Sequence, residues 1–408
     1  MGLWAGKAEA VGADRPLFAA AKVSQGLVVD SSYQALRSAR GTVSVDLVQA
    51  DAAQVDSDAQ TLLLSVGGKG VRAQKQYAFR NERGLLVWYG LLTPEAGLVS
   101  RLAKYGDREI ADDPKNSVMI VRNGDKLTGT IRDNGQLYEL RPLKSGGHAL
   151  ARIDETRRPP DHPRAYATLP TIAMPSSQVA ASGPNVGIAA VSTIRVMVVM
   201  TQAAINASGD AAGLINLAVA ETNQGYANSG VEISLQLAGS YSTSYVESGS
   251  FSTDLARFRG TSDGYMDSFH STRNSITADV GMLIVNNSSS CGLASGIGSS
   301  STTAFAAVHY GCATGYYSFG HELGHLQSAR HDPAADPTNS PYAYGHGYRN
   351  DTAGWRTIMS YDCASGCPRL NYWSNPAKTY GGAPMGTALK NHNQRVLNNT
   401  KGTIASFR

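Results

Sequence analysis

His321, Glu322 and His325, followed by His331 and Asp332 and later by Met359 and Tyr361, are the residues whose types and spacing can do chemistry together. A helix turns by about 100° per residue, so positions four apart lie about 40° from each other on one face. His321 and His325 can therefore reach one metal ion from a single rigid backbone. His331 adds a third imidazole if the chain breaks out of the helix and swings back. Three neutral imidazoles suit zinc and leave a fourth position open to a water, whose pKa the metal lowers to about 7. Glu322 neighbours the first ligand and projects beside the metal, where a general base belongs. The chemistry this set supports is hydrolysis assisted by one catalytic zinc ion. The blander readings are a helix face of solvated imidazoles and, for Met359, an ordinary core methionine.

The run HELGHLQSARHD followed by TIMSYD resembles the metzincin clan of zinc peptidases, with its H-E-x-x-H-x-x-G-x-x-H ligand string and its Met-turn. Asp332 is similar to the adamalysin/reprolysin branch, and Tyr361 to the astacin and serralysin branches. The longer GHELGHLQSARHDP, with IMSYDC, resembles bacterial peptidyl-Asp metalloendopeptidases. The resemblance implies an α/β (α+β) metzincin-like catalytic domain with a twisted mixed sheet and an active-site helix. It also implies an endopeptidase with zinc on His321, His325 and His331, and Glu322 as base. Tyr361 would donate to the oxyanion, unless it only packs. Met359 would form a floor under the imidazoles, and Asp332 would anchor the turn. Cleavage before Asp needs a cation for the substrate carboxylate. Arg369 is the only Lys or Arg in residues 363–376 and is the first candidate, with Arg356 second; either can instead be a surface arginine. The sequence departs from the clan at Ser328, which stands where the clan has glycine. An L-residue in the left-handed conformation costs about 1–2 kcal/mol, against a zinc site worth on the order of 10 kcal/mol.

At 408 residues the chain can hold two separately cored domains. Residues 1–170 carry 23 Lys or Arg and 19 Asp or Glu, whereas residues 171–408 carry 13 of each among Gly, Ser, Asn and Tyr. That shift marks a boundary. The net charge of +4 is too weak and two-signed to suggest nucleic acid. No run approaches the roughly 18 apolar residues of a membrane span. All four cysteines fall in the second part, and an even count in a Ser/Gly-rich, low-charge region implies two disulfides in an exported protein. Cys363 and Cys367 can close a small loop after Met359, leaving Cys291 to pair with Cys312. Four thiolates on a structural zinc is the competing reading, though paired C-x-x-C spacing is missing. The start of the sequence lacks an apolar secretory core, so the expected location, secreted or periplasmic, supposes a leader removed or lying upstream.

Residues 1–155 read as a mostly-β region: a short helix at 31–40, strands at 42–48, 61–66, 71–79 and 85–92, then a meander with Asn-Gly turns at 123–124 and 134–135. Residues 156–190, rich in Pro, Ser and Ala, read as an extended linker. Residues 191–408 read as the catalytic domain, with strands at 194–200, 231–237 and 280–285. Its helices are expected at 211–227, at 252–269 with a break near 260–264, and at 316–327 for the ligands. Residues 303–309 are expected to form the antiparallel edge strand of the clan, where a substrate backbone can add. His309, His148, His270, His346 and His392 read as structural or surface residues.

The N-terminal part looks like a mostly-β pro-domain that inhibits its own peptidase, although it can instead be a binding domain that stays attached. Many metzincin propeptides block zinc with a cysteine, and residues 1–290 contain none. An inhibitor here must use a carboxylate, an imidazole or occlusion, and Asp161 and His162 are candidates by position alone. The expected function is a secreted zinc endopeptidase acting on proteins or peptides on the N-terminal side of Asp and made as a zymogen. The alternatives are a metzincin-like endopeptidase of broad specificity, a zinc-containing module without turnover, or an N-terminal adhesin with the peptidase as its processing machinery.

Overall fold

The computed structural model describes residues 15–21, 29–92, 95–174 and 190–408. The very start of the chain and residues 175–189 of the expected linker lie outside them. Two sheets organise the rest. The first contains β1 (Phe18–Ala20), β2 (Thr42–Ala50), β3 (Thr61–Val66), β4 (Lys69–Arg80), β5 (Leu86–Leu91), β6 (Ser117–Asn123), β7 (Lys126–Asp133), β8 (Gln136–Pro142) and β9 (His148–Ile153). It is antiparallel throughout, in the order β1-β2-β9-β8-β7-β6-β5-β4-β3. Its two edges meet where Leu17 N–H donates to Leu63 O at 2.8 Å, so the sheet closes around Leu62, Leu64, Trp88, Val118, Ile120 and Leu140. Asn134 (φ 49°) and Gly135 (φ 86°) make the two-residue β7–β8 turn. The β6–β7 turn is Gly124-Asp125, one residue later than its Asn-Gly signal, because Asn123 pairs with Lys126. Helix α1 (Ser31–Ser38) is capped by Asp30; helix α2 (Glu95–Tyr105) has no counterpart among the expected elements.

The second sheet contains β10 (Ser192–Thr201), β11 (Ile233–Thr243), β12 (Val280–Val285), β13 (Gly292–Ala294) and β14 (Phe305–His309), in the order β11-β10-β12-β14-β13. Around it lie α3 (Gln202–Ser208), α4 (Ala211–Ser229), α5 (Phe251–Arg259), α6 (Ser268–Ser275), α7 (Tyr310–Ala313), α8 (Ser318–Leu326) and α9 (Asn393–Ile404). Strand side chains alternate between faces. Val196 and Val198 pack on the α4 and α8 side, with Leu214, Ile215, Leu323 and Leu326. Met197 and Val199 pack on the α5 side, with Phe251, Leu255 and Phe258. Burial on both faces is why this strand reads as an unbroken apolar run.

One expected element is corrected. Residues 303–309 do not form an antiparallel edge: β14 runs parallel to β12 and is interior to the sheet. The antiparallel edge is β13, paired with β14 through Gly292↔Val308 and Ala294↔Ala306. Its Gly-Leu-Ala sequence lacks the β-branched run that announces a strand, and only tertiary covering makes it one. The ligand helix is also shorter than expected, since Tyr317 takes φ 61° and ends the helical path before Ser318.

The first sheet meets the second through α4 and the loop before α8. Leu217 and Ala220 of α4 pack on Val87, Tyr89, Met119 and Val121. Buried arginines reach α7 and the loop after it: Arg158 donates to Gly311 O (2.6 Å) in α7, Arg132 to Gly315 O (2.7 Å), and Arg141 to the Thr314 hydroxyl (2.7 Å). Glu221 of α4 accepts from Thr130 Oγ1 (2.5 Å) and Gly315 N–H (2.8 Å). Burial pushes its carboxyl up to about 7, against the lowering effect of these hydrogen bonds and of Arg141 and Arg132. The folded pKa thus lies above the unfolded value. The stabilisation is full below about 4.5 and is lost as pH rises through about 7. Glu221→Gln should therefore gain stability relative to the wild type between pH 5 and pH 8, measured as the difference in urea midpoints of the full chain. An unchanged difference would refute this linkage.

Candidate metal centre

Helix α8 presents His321 and His325 one turn apart, and both are buried. The helix stops at Leu326. Ser328 adopts φ 75°, and Ala329 N–H closes back onto Gly324 O at 2.9 Å. That left-handed step turns the chain so that His331 faces the other two rings. The Nε2 atoms form a triangle with edges of 3.0 Å (His321–His325), 3.1 Å (His321–His331) and 3.1 Å (His325–His331).

The tautomers of two rings follow from their other nitrogens. His321 Nδ1–H donates to Ile358 O (2.9 Å) and His325 Nδ1–H to Ala329 O (2.8 Å), so both Nε2 atoms are bare lone pairs. Burial, and then the neighbouring histidines, holds His321 and His331 well below the usual imidazole range; burial brings His325 down to about 3. Neutral rings whose Nε2 atoms converge in a buried site, two of them as lone pairs, repel one another unless a cation lies among them. Four-coordinate zinc at about 2.0–2.1 Å holds its donors about 3.3 Å apart, which this triangle approximates. The donor set fits the metal.

The turn at 357–361 braces the triad. Ile358 supplies the carbonyl that orients His321, and buried Met359 lies under the helix. A Cβ at Gly324 would meet Trp373 at 2.7 Å and Met359 Sδ at 3.0 Å, so only glycine admits this close floor. Asp332 accepts the Tyr361 backbone N–H at 2.9 Å and ties the third ligand's loop to the turn. His346, expected to be bland, donates from Nδ1 to the His331 carbonyl at 2.7 Å. Glu322 lies against β13, where a Cβ at Gly292 would meet its Oε1 at 2.2 Å. Burial pushes its carboxyl up to about 8, opposed first by His325. The Tyr361 ring lies 4.5 Å from that of His331.

Arg369 and Arg356 are both fully buried, not surface residues. Both lie against Tyr316, with guanidinium carbons 4.2 Å and 5.3 Å from its ring centre. Arg369 donates to Tyr316 O and Ser360 O (both 3.1 Å), and Arg356 to Ser360 O (2.9 Å), Cys367 O (3.3 Å) and Tyr316 Oη (3.2 Å). The Cys363–Cys367 and Cys291–Cys312 disulfides are present as expected. The first closes the loop that carries Cys367 O.

Residues 156–174, expected as open linker, instead cross this site. Asp161 accepts from Arg369 at 2.7 Å and lies 3.9 Å from Arg356. Burial alone would raise its carboxyl, but Arg369 and Arg356 hold it below the usual carboxylate range. His162 sits 4.7–5.0 Å, ring centre to ring centre, from all three other imidazoles. Tyr166 stacks on His331 at 4.3 Å and donates to Asp336 at 2.9 Å. Tyr316, Tyr166 and His346 carried no signal, because single aromatic or histidine residues outside a motif look alike in sequence.

The family model described as Reprolysin_5, metallo-peptidase family M12, matches residues 190–374. Fold and site together are those of a zinc metalloendopeptidase with one catalytic zinc ion. A peptidyl-Asp metalloendopeptidase of Xanthomonas campestris pv. campestris is 53% identical over 381 residues, 93% of this chain and 89% of that protein. One from Stenotrophomonas maltophilia (strain R551-3) is 54% identical over 377 residues, 90% of this chain and 87% of that one. A third, from Pseudomonas fragi, is 52% identical over 189 residues, 46% of this chain and 100% of its own length. The chain belongs to this peptidyl-Asp metalloendopeptidase family, among the reprolysin-like M12 metallopeptidases. Among the described residues, no helix is long and apolar enough to cross a membrane.

The strain at Ser328 is testable. Its hydroxyl is buried without a partner and its φ suits glycine. Ser328→Gly should raise the unfolding free energy by about 1 kcal/mol and leave zinc stoichiometry at one, read by denaturation and metal analysis; a loss of stability would contradict the strain argument.

Proposed function

We propose that the chain is the secreted zymogen of a zinc endopeptidase that hydrolyses peptide bonds on the N-terminal side of Asp, with its N-terminal β region as the inhibitor. The carrying observation is the buried Arg369–Arg356 pair closed by the Asp161 carboxylate. Two guanidinium groups buried against one tyrosine demand an anion. In the working enzyme that anion is the side chain of the substrate residue following the scissile bond. The carbonyls of Tyr316, Ser360 and Cys367 aim both guanidinium forks before substrate arrives. A carboxylate one methylene longer fits worse, a difference of about 1–3 kcal/mol.

His321, His325 and His331 hold the zinc, which when bound supplies Lewis acidity: it lowers the pKa of a water to about 7 and polarises the scissile carbonyl. Glu322 takes the water's proton and delivers it to the leaving amine, and its burial favours the protonated form it must adopt between those events. Tyr361 donates a hydrogen bond to the carbonyl oxygen as charge develops there. The substrate backbone adds to the β13 edge, whose Cys291 and Gly292 N–H groups point into the cleft. Two disulfides support an exported protein.

The test uses enzyme freed of its N-terminal region, with peptide pairs that differ only in Asp or Ala after the scissile bond. Arg369→Ala should lower the Asp/Ala ratio of kcat/KM by about two orders of magnitude, as loss of a buried charge partner worth about 2–5 kcal/mol implies, while cleavage of the Ala peptide persists. Glu322→Gln should lower kcat by about 10²–10⁴ with zinc retained, and chelation should abolish turnover until zinc is restored. An unaltered Asp/Ala ratio in Arg369→Ala, or full turnover in Glu322→Gln, would sink these assignments.

A further inference from the structure

The catalytic reading leaves residues 158–172 unused, yet they are pinned to the cleft along their length. Arg158 is held by Gly311 O and Glu139. Cys291 N–H donates to Pro160 O (2.8 Å) and Gly292 N–H to Asp161 O (3.0 Å), so the segment covers the outer edge of the chain at the start of β13. Ile297 N–H donates to Pro170 O (2.9 Å), and Ile172 N–H donates to Ile297 O (2.8 Å). Between these clamps the side chains of Asp161 and His162 point into the site, and both are buried.

The position of His162 is specific. A general base must lie about 2.6–3.2 Å from the group whose proton it takes. His162 Nε2 lies 3.1 Å from Glu322 Oε1. The ligand atoms of His162, His321, His325 and His331 all fall within 4.8 Å of one another. The imidazole therefore stands where the attacked water must stand, between the base and the ligand triad. Its Nδ1 lies 3.4 Å from Tyr361 Oη, so the proposed oxyanion donor is engaged as well.

We infer that His162 is a fourth protein ligand of the zinc in the intact chain, and that Asp161, seated on Arg369 and Arg356, holds it there. One dipeptide thus closes the metal and the specificity pocket together. This deepens the proposed function and rests on its reading of the arginine pair. Latency here needs no cysteine: an imidazole displaces the water, and a carboxylate of the kind the pocket reads secures the imidazole. With no water at the metal, the Pro160–Asp161 bond is held without being cut.

The test uses the intact full chain. X-ray absorption of the zinc-loaded wild type should count four imidazoles, and three would overturn the inference. In chain loaded with Co²⁺, acetohydroxamate should leave the wild-type visible spectrum unchanged. In His162→Ala, and in the closer-sized His162→Gln, the bands should differ from wild type and shift on adding acetohydroxamate. Asp161→Ala should let acetohydroxamate in at concentrations that leave the wild type unaffected. If wild type and both His162 variants share one spectrum and respond alike, the assignment is wrong. Mass analysis should find Pro160–Asp161 intact; cleavage there would mean the segment binds as substrate. Failure of the Arg369 specificity experiment on processed enzyme leaves the imidazole count untouched, so the two ideas fail separately.

Discussion

Three imidazole Nε2 atoms within 3.1 Å of one another, in a buried site and with two of them fixed as lone pairs, form an arrangement that calls for a cation. Much of the surrounding structure serves to enforce it. Carbonyls at Ile358 and Ala329 select the tautomers, Gly324 admits Met359 and Trp373 beneath the helix, and Ser328 accepts a left-handed backbone so that His331 can return. The magnitudes decide the order of importance. A strained residue costs about 1–2 kcal/mol, whereas a zinc site contributes on the order of 10 kcal/mol.

The cleft joins this centre to a second electrostatic demand. Arg369 and Arg356 are both buried against Tyr316, and their anion comes from the segment that also brings His162 to Glu322. Arginines also bridge the two sheets. Arg132 and Arg158 pair with Glu155 and Glu139 and at the same time donate to the backbone carbonyls of Gly315 and Gly311, and Arg141 reaches the Thr314 hydroxyl. These contacts are directional, and apolar patches also join the two parts, one between α4 and β5–β6 and one where Ile110 packs with Trp355, Leu370, Tyr372 and Met385. Each sheet otherwise keeps an apolar cluster of its own.

Much of this was legible because its signal is local. The meander from β6 to β9 follows from β-branched runs and Asn-Gly turns, and β10 from an apolar run that both faces bury. The parts that misread had long-range causes. Residues 156–174 look like linker because proline and alanine carry no periodicity, yet their hydrogen bonds go to β13 and Ile297, more than a hundred positions on. β13 itself is too short and too rich in glycine to announce a strand. Only the sheet order shows that residues 303–309 are interior and that the open edge lies at Gly292–Ala294.

The sequence alone put His321 and His325 on one face with Glu322 beside them and announced the turn at 357–361, because helical geometry brings residues four apart together whatever surrounds them. It also offered Arg369 and Arg356 as the candidates to meet an acidic side chain. Tertiary structure decided what faces those groups. That Arg356 joins Arg369 around one tyrosine, that Asp161 meets both, and that His162 stands between Glu322 and the triad depend on chain segments distant in sequence. Side-chain chemistry is written residue by residue, whereas the partner of a buried charge is set by packing, and packing is not local.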